Sequence, residues 1–389
     1  MDKFDQSRVG AVALNTVFGY EPKFSHQIID TLGSPEAVFT MPRSRLAEVL
    51  GPYSRYLDKI RPDALEKARR EVERLEAEGY RIVTCLDDCY PELLRECPDA
   101  PVALYIRSSS EPSEIFGSRP LISIVGTRDQ SLYGKEWCEK LVGALSRAPV
   151  RPAIVSGLAL GVDITAHMAA LGYGLPTIGV SPVGIDAVYP RRHSVAAAKI
   201  SGSPGSAIIT DYPPGTTPLA VNFLRRNRII AGISSATILI ESKVRGGGML
   251  TARLAAGYGR DVLALPGRID DLRSAGCNLL IRQNVAEPVI SPESLAESLG
   301  LGRSADARRR PVGEELTQHF SGMLPEEELE RLRAVMEAVG AHRGITIEEL
   351  CTQLETGFPE AARYTGLLES EGFITIDVLQ RCTINCKFY

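Results

Sequence analysis

The sequence predicts an α/β fold of the extended Rossmann-like, doubly wound class, built on a mostly parallel sheet. From about residue 80 onward the chain carries short, nearly continuous apolar runs, the pattern of strands that are covered on both faces. Stretches of helix length separate most of these runs, and this alternation favours parallel strands joined by crossover helices. Small residues follow several runs, at the strand ends where ligands bind in such sheets. The runs occupy residues 81–85, 102–106, 121–125, 153–155, 177–180, 207–210, 236–240 and 262–265.

The flanks of this region predict further domains. Residues 1–79 show helical spacing without strand-like runs, so we expect a small helical domain of the SAM-like or helix-hairpin-helix-like kind. We assign 80–300 to a Rossmann-like DNA-binding domain. We assign 301–323 to a polar linker, whose Arg308-Arg309-Arg310 run is better explained by solvation than by nucleic-acid contact.

The C-terminal residues 324–389 predict a winged-helix domain. Three stretches of helical spacing are followed by two strand-like segments, 373–376 and 381–388. Acidic residues outnumber basic ones there, so binding a protein is as plausible a role for this domain as binding duplex DNA.

Length and composition bound the class of protein. A chain of 389 residues is expected to form two or three domains. With 44% hydrophobic and 24% charged residues, and no apolar run of roughly 18 residues, a membrane span is not expected. The N-terminus lacks the pattern of a secretory signal, which predicts a cytoplasmic protein with reduced cysteines.

The cysteine pattern does not predict a metal site. Cys85 and Cys89 are four residues apart, as are Cys382 and Cys386, whereas zinc-binding pairs usually have two intervening residues and a partner pair. We therefore expect neither a metal nor a cofactor.

Charge is unevenly distributed along the chain. The formal net charge is −4, yet residues 119–260 carry a net +9 and the remainder carries −13. A basic central region favours a polyanionic partner.

A cluster of arginines is the most informative local feature. Arg225, Arg226 and Arg228 lie between Phe223 and an apolar Ile229-Ile230 pair. The next apolar run leads through Glu241 and Lys243 into a Gly246-Gly247-Gly248 turn and a helical stretch, an arrangement typical of phosphate-binding sites.

Other strand-end loops offer similar groups. Gly126-Thr127-Arg128 combines a close backbone approach, a hydroxyl and a guanidinium. Ser156-Gly157 precedes a helix on which Asp163 and His167 share a face. We expect a helix-start carboxylate and a structural histidine there, in preference to catalytic groups. Arg191-Arg192 is a cationic turn that could either bind an anion or only reach solvent.

The motifs of nucleotide-hydrolysing enzymes and serine hydrolases are missing from the sequence. It has no GxxxxGK[ST], no GxGxxG after a strand and no GxSxG. Cations, backbone amides and an aromatic residue without a base–nucleophile pair fit binding better than turnover. We expect no catalytic residues.

Seven ordered motifs resemble those of the DNA-processing protein A (DprA/Smf) family. They are IVGTR (124–128), SGLALGVDITAH (156–167), GIDAVYP (184–190), DYPPGT (211–216), FLRRNRIIAG (223–232), ESKVRGGGMLTA (241–252) and GRDVLALPG (259–267).

The resemblance implies a single-stranded-DNA-binding recombination mediator, without enzymatic activity, that acts in natural transformation. Such a protein protects incoming strands, loads RecA and forms homodimers. Leu160 replaces a frequent cation of the family, which shifts the expected cationic contribution toward other arginines. The implied DNA-binding residues are Gly126, Thr127, Arg128, Ser156, Gly157, Arg191, Arg192, Phe223, Arg225, Arg226, Asn227, Arg228, Lys243, Gly246, Gly247 and Gly248.

Two other functions remain open at this point. Related Rossmann-like folds cleave nucleoside monophosphates, and Glu241 and Arg226 would be the residues to suspect in such an enzyme. A scaffold with a vestigial pocket is the other alternative. One of Arg226 and Arg228 could also serve the structure, by pairing with Glu241 or Asp211.

Overall fold

The structure is a computed structural model that describes residues 3–19, 21–117, 119–302, 316, 317, 319–342 and 344–384. The chain divides into two compact units, residues 1–302 and residues 303–389.

In the first unit, helices precede the first strand, connect many of the strands and follow the last strand. They are α1 (Lys3–Phe18), α2 (Pro22–Leu32), α3 (Arg43–Leu50), α4 (Pro62–Ala77), α5 (Glu92–Arg95), α6 (Pro112–Phe116), α7 (Leu132–Ser146), α8 (Val162–Gly172), α9 (Ser194–Gly202), α10 (Ala220–Ile233), α11 (Gly247–Gly257), α12 (Ala275–Arg282) and α13 (Pro292–Ser298). Short 3₁₀ helices occur at Ala37–Thr40 and Arg191–His193.

The strands of this unit form one sheet. They are β1 (Arg81–Thr84), β2 (Ala103–Arg107), β3 (Leu121–Val125), β4 (Ala153–Ser156), β5 (Thr177–Val180), β6 (Ala207–Thr210), β7 (Ala236–Leu239), β8 (Asp261–Ala264) and β9 (Glu287–Pro288). Their order is β1-β2-β6-β5-β4-β3-β7-β8-β9. The pairs β1–β2 and β2–β6 are antiparallel, and the other pairs are parallel. The predicted mostly parallel, Rossmann-like sheet is confirmed.

Strand order reverses between β3 and β7, which defines the topological switch point. From β3 the chain adds β4, β5 and β6 on one side and then returns to place β7 on the other side. β3 and β7 pair in parallel from Ile122 opposite Ala236 to Val125 opposite Leu239. The loops that follow these two strands therefore leave the same edge side by side and open a crevice.

The central strands are buried along their whole length. Every residue of β3, β4, β5, β6 and β7 is buried, because helices cover both faces of the sheet. Helix α7 begins where the Ser131 hydroxyl accepts a hydrogen bond from Gly134 N, which satisfies an otherwise free amide of the first turn.

The N-terminal helices pack against the sheet. In α4 the buried residues Ala68, Val72 and Leu75 follow the spacing of one helix face. Phe18 of α1 and Tyr105 of β2 belong to the same hydrophobic core. Helices α1 to α4 and the sheet thus lie within one compact unit, and a domain boundary at residue 79 stays a prediction.

The described residues of the second unit form helices and a small sheet. Its elements are α14 (Glu326–Ala341), β10 (Ile345–Thr346), α15 (Ile347–Gln353), α16 (Phe358–Ser370), β11 (Ile374–Ile376) and β12 (Arg381–Ile384). The strands are antiparallel in the order β10-β12-β11. Helix α15 starts with a reciprocal capping box between Thr346 and Glu349. The linker arginines 308–310, residues 385–388 of the predicted last strand, and Cys386 lie outside the described residues.

Within the described ranges, no helix is both long and apolar enough to cross a bilayer. The same ranges contain no group of three or more His, Cys, Asp or Glu residues placed to hold a metal ion.

Candidate functional site

A cavity of about 370 Å³ opens at the switch point, and we call it the switch-point cavity. The loop after β3, the loop after β7 and one face of α10 form its walls. Its lining residues are Val125, Gly126, Thr127, Arg128, Asp129, Ala159, Asp163, Phe223, Leu224, Arg226, Asn227, Ile230, Ser242, Lys243, Arg245, Gly246, Gly247, Gly248 and Thr251.

Gly126 allows the two strand-end loops to approach each other. A Cβ atom at this position would lie 2.6 Å from Cγ2 of Val162 and 3.0 Å from the carbonyl oxygen of Glu241. The next amide, Thr127 N, donates to that same Glu241 carbonyl at 2.7 Å. A side chain at 126 would push the β3 loop away from the β7 loop, so glycine is required by the close packing.

Arg128 and Phe223 form a cation–aromatic pair at the cavity. The Arg128 side chain is exposed, and its Cζ lies 5.0 Å from the centre of the Phe223 ring, within the range of a cation–π interaction. The Phe223 ring also meets Tyr189 edge to face, with 5.3 Å between ring centroids. An exposed positive charge and an aromatic surface are therefore presented together.

The three arginines of α10 point in different directions, because successive helical residues are rotated by about 100°. Arg225 is exposed and is not among the lining residues. Arg226 is buried, lines the cavity and donates from Nη1 to the Val180 carbonyl at 2.6 Å. Arg228 is buried away from the cavity, where it pairs with Asp211 and donates to the Asp99 carbonyl.

A buried arginine and a buried aspartate, both lining the cavity, determine its local electrostatics. Burial lowers the pKa of Arg226 to about 10, and the neighbouring Asp163 carboxylate opposes that shift. Burial likewise raises the pKa of Asp163, while Arg226 opposes that change. Both side chains are largely removed from solvent, and their mutual attraction offsets part of the desolvation that disfavours the charged form of each.

The glycine turn places the start of α11 at the cavity. Gly248 packs so closely that a Cβ there would lie 2.7 Å from Cδ1 of Leu239 and 3.2 Å from Cα of Gly126. Asn227 Nδ2 donates to the Gly247 carbonyl at 3.4 Å, which joins α10 to the turn. The first amides of a helix attract anions, and exposed Lys243 adds a positive charge beside them.

Several sequence-predicted residues lie outside the lining of the cavity. Ser156 is buried, and its hydroxyl donates to the Ile124 carbonyl at 2.6 Å, so it ties β4 to β3. Gly157 makes room for Arg226 and Asp163. Arg191 and Arg192 are exposed in the 3₁₀ helix that follows Tyr189.

The cavity also contains residues that sequence reasoning missed. Exposed Arg245 is the most consequential, because it adds a cation next to the α11 start. Its position one residue before the glycine turn was the available signal. Asp129, Ser242 and Thr251 also line the cavity; Ser242 and Thr251 lie within the motif ESKVRGGGMLTA, and Asp129 directly follows the motif IVGTR.

The groups suspected of catalysis have structural partners. The Glu241 carboxylate accepts from Ser131 N at 2.9 Å and from Ser131 Oγ at 2.5 Å, so it holds the start of α7. His167 is buried, with Nδ1 2.7 Å from Thr177 Oγ1. Asp163 accepts from Ala159 N at 3.4 Å in the first turn of α8. The helix-start carboxylate and the structural histidine both have the expected surroundings.

The family described as DNA recombination-mediator protein A matches residues 81–300. This range includes the whole sheet and every residue that lines the cavity. The chain belongs to this family. Its role is accordingly that of a DNA-processing recombination mediator.

Members of the recombination-mediator family from several bacteria share this region. The chain is 38% identical over 222 residues to the DNA processing protein DprA of Streptococcus pneumoniae. This alignment covers 57% of this chain and 76% of that protein. It is 36% identical over 228 residues to the protein Smf of Escherichia coli, covering 59% of each chain.

Solved structures of the recombination-mediator family have the same fold. The crystal structure of DNA processing protein A from Streptococcus pneumoniae matches with a TM-score of 0.57 and 30% identity, over 76% of this chain and 96% of that one. A Helicobacter pylori family member, described for its single-stranded DNA binding mode, matches with a TM-score of 0.50 and 28% identity. That match covers 57% of this chain and 95% of the other.

Proposed function

We propose that the switch-point cavity binds single-stranded DNA without sequence preference. The observation that carries the proposal is the placement of the Arg128 guanidinium 5.0 Å above the Phe223 ring, at a cavity lined by the start of α11. Phosphates would be held by charge and backbone amides, while bases would stack on an aromatic ring. The Helicobacter pylori family member, whose structure is described for single-stranded DNA binding, supports this assignment.

The proposed phosphate contacts come from exposed cations and amides. Arg128, Lys243 and Arg245 reach the cavity from two loops, and the Gly246–Gly248 turn supplies the helix start. The Arg226 guanidinium donates a hydrogen bond to the Val180 carbonyl, so it would attract phosphates as a positive charge fixed in position. In this arrangement the cations and amides contact the phosphates, which carry no sequence information, so binding is expected to tolerate any sequence.

We infer that the site binds DNA without cleaving nucleotides. The Glu241 carboxylate accepts hydrogen bonds from Ser131 N and Oγ, and Glu241 is not among the residues that line the cavity. Incubation with nucleoside monophosphates should release no free base. Turnover that disappears in Glu241→Gln would instead favour a nucleotide-cleaving enzyme.

We infer the wider role from family membership. The protein would act in the cytoplasm during natural transformation, protect incoming single strands, form homodimers and load RecA. Light scattering of the purified chain tests the dimer. Growth of RecA filaments on oligo-dT, with and without the protein, tests loading.

We further propose the domain assignment 1–79, 80–300, 301–323 and 324–389. The four helices α1 to α4 support a SAM-like or helix-hairpin-helix-like N-terminal domain. Three helices with a three-stranded antiparallel sheet support a winged-helix C-terminal domain.

The binding proposal is tested by a salt series on one protein sample. Dissociation constants for oligo-dT and for duplex DNA are measured for the wild type, Arg128→Ala and Arg147→Ala. Arg147 is a matched control, because it is exposed and caps the far end of α7. The slope of log affinity against log salt concentration is negative, and in Arg128→Ala it should become shallower by about 0.7. In Arg147→Ala the slope should stay unchanged. Equal slopes for Arg128→Ala and the wild type would remove Arg128 from the site.

A further inference from the structure

The aromatic surface of the switch-point cavity continues beyond the cavity itself. Tyr189 meets Phe223 with 5.3 Å between ring centroids and an interplanar angle of 74°. Tyr189 is 39% exposed but is not among the residues that line the cavity. The two rings form an L-shaped platform that leads from the cavity to the neighbouring loop.

Arg128 limits how Phe223 can be used. Its guanidinium covers one face of the Phe223 ring, so a base can stack on that face only by displacing a cation–π contact. Such a contact contributes about 0.5–1 kcal/mol at exposed sites. The exposed surface of Tyr189 requires no displacement of Arg128, and it is therefore the better second stacking position.

The loop that carries Tyr189 is held on both sides. Before Tyr189, both oxygens of the Asp186 carboxylate accept from Gly215 N, at 3.0 and 2.9 Å. After it, buried His193 donates from Nδ1 to the Leu158 carbonyl at 2.9 Å. An aromatic side chain on an anchored loop loses little freedom when a base stacks on it.

Two cations follow this aromatic residue directly. Arg191 and Arg192 are exposed in the 3₁₀ helix Arg191–His193, two and three residues after Tyr189. An aromatic residue next to exposed arginines is the combination that proteins use to track a single strand.

We propose that the DNA strand leaves the switch-point cavity over Phe223, that its next base stacks on Tyr189, and that Arg191 and Arg192 hold the phosphates beyond. The proposal rests on the single-strand binding proposed above and adds a second stacking site and a direction for the strand.

The test uses the full chain, oligo-dT of graded length and the variants Tyr189→Ala and Tyr189→Phe. With long oligo-dT, Tyr189→Ala should bind about 5- to 140-fold more weakly, with an unchanged salt slope because tyrosine carries no charge. Tyr189→Phe keeps the ring and should bind like the wild type. Arg191→Ala should make the slope of log affinity against log salt concentration shallower by about 0.7. For the shortest oligo-dT that still binds, Tyr189→Ala and the wild type should have the same affinity, because such a strand does not reach Tyr189.

Photocrosslinking gives a readout that needs no variant to fold. Oligonucleotides containing 5-iodouracil should crosslink to Tyr189, and mass spectrometry should find no adduct at Tyr173, an exposed tyrosine at the far end of α8. Equal affinities of Tyr189→Ala and the wild type for every oligo-dT length, or crosslinks that avoid Tyr189, would overturn the inference. If the wild type itself binds no oligo-dT, the proposed function fails instead.

Discussion

The guanidinium of Arg226 and the carboxylate of Asp163 both lie against Gly157. A Cβ atom on Gly157 would lie 2.6 Å from Oδ2 of Asp163 and would collide with Nη1 of Arg226. Helix α10, which carries Arg226, and helix α8, which carries Asp163, are thus brought together by a residue after β4. Because Gly157 has no side chain, Arg226 and Asp163 can take up their positions in the lining of the switch-point cavity.

Replacing Gly157 with alanine should therefore destabilise the protein. The methyl group has to displace two buried charged groups, and overpacking of this kind costs about 1–3 kcal/mol. The displacement of Arg226 should also weaken the binding of oligo-dT. Urea unfolding measures the first effect, and a binding titration measures the second.

Gly172→Ala is the matched control for this substitution. Gly172 lies in the last turn of α8, and a Cβ there would have no atom within 4 Å. Alanine should raise helix stability by no more than about 1 kcal/mol. If Gly157→Ala unfolds at the same urea concentration as Gly172→Ala, the close approach of Arg226 and Asp163 is not what requires glycine.

His167 should make stability depend on pH. Burial lowers the pKa of His167 to about 3, with further lowering by the charges of Arg226 and His193. The Thr177 hydroxyl donates to the Ile154 carbonyl at 2.7 Å, so it accepts from His167 Nδ1 and fixes the tautomer of the neutral imidazole with its proton on Nδ1. In the unfolded chain the histidine protonates near its ordinary pKa of about 6.5.

The lowered pKa fixes the sign of the effect. The contribution of His167 is fully present above about pH 6.5 and is lost as the pH falls toward 3, because only the unfolded chain takes up the proton. Between about pH 7.5 and pH 5 the wild type should lose about 2 kcal/mol more than His167→Asn, in which the amide replaces Nδ1. Urea unfolding at both pH values provides the measurement. Parallel losses in the two proteins would show that His167 does not titrate on unfolding.

Much of the fold is predictable because the central strands are buried on both faces. A strand such as β3 is apolar at nearly every position, and this continuous pattern separates it from the amphipathic helices on either side. Strand β10 has only two residues, Ile345 and Thr346, and a segment this short has no periodicity to recognise. Its pairing with β12 comes from tertiary structure alone.

The site is predictable as a set of loops but not as a set of contacts. Strand ends identify the loops at Gly126 and Gly246, since parallel strands end at one edge of the sheet. The direction of each arginine on α10 depends on partners far away in sequence, such as Val180 for Arg226 and Asp211 for Arg228. Ser156 followed a strand in the predicted boundaries, whereas it is the last residue of β4 and bonds across to β3.

Arg228 belongs to the group of arginines that resembles the DNA-binding motif, yet its partners are structural. It pairs with Asp211, and both side chains are nearly buried, with exposed fractions of 10% and 4%. Arg228→Met would leave the Asp211 carboxylate without its partner. Breaking a buried pair on one side costs about 3–5 kcal/mol, so a loss of stability of this size is expected.

The pH dependence of Arg228→Met distinguishes a lost ion pair from a simple packing defect. Burial already raises the pKa of Asp211, and Arg228 opposes that shift, so its removal raises the pKa further. The variant should recover stability as the pH falls, because the folded state then binds a proton that the unfolded chain releases. Asp211→Asn in the same background should restore much of the stability at neutral pH. In salt-series binding to oligo-dT, the folded double variant should keep the wild-type slope; a slope lowered by about 0.7 would mean that Arg228 contacts a phosphate.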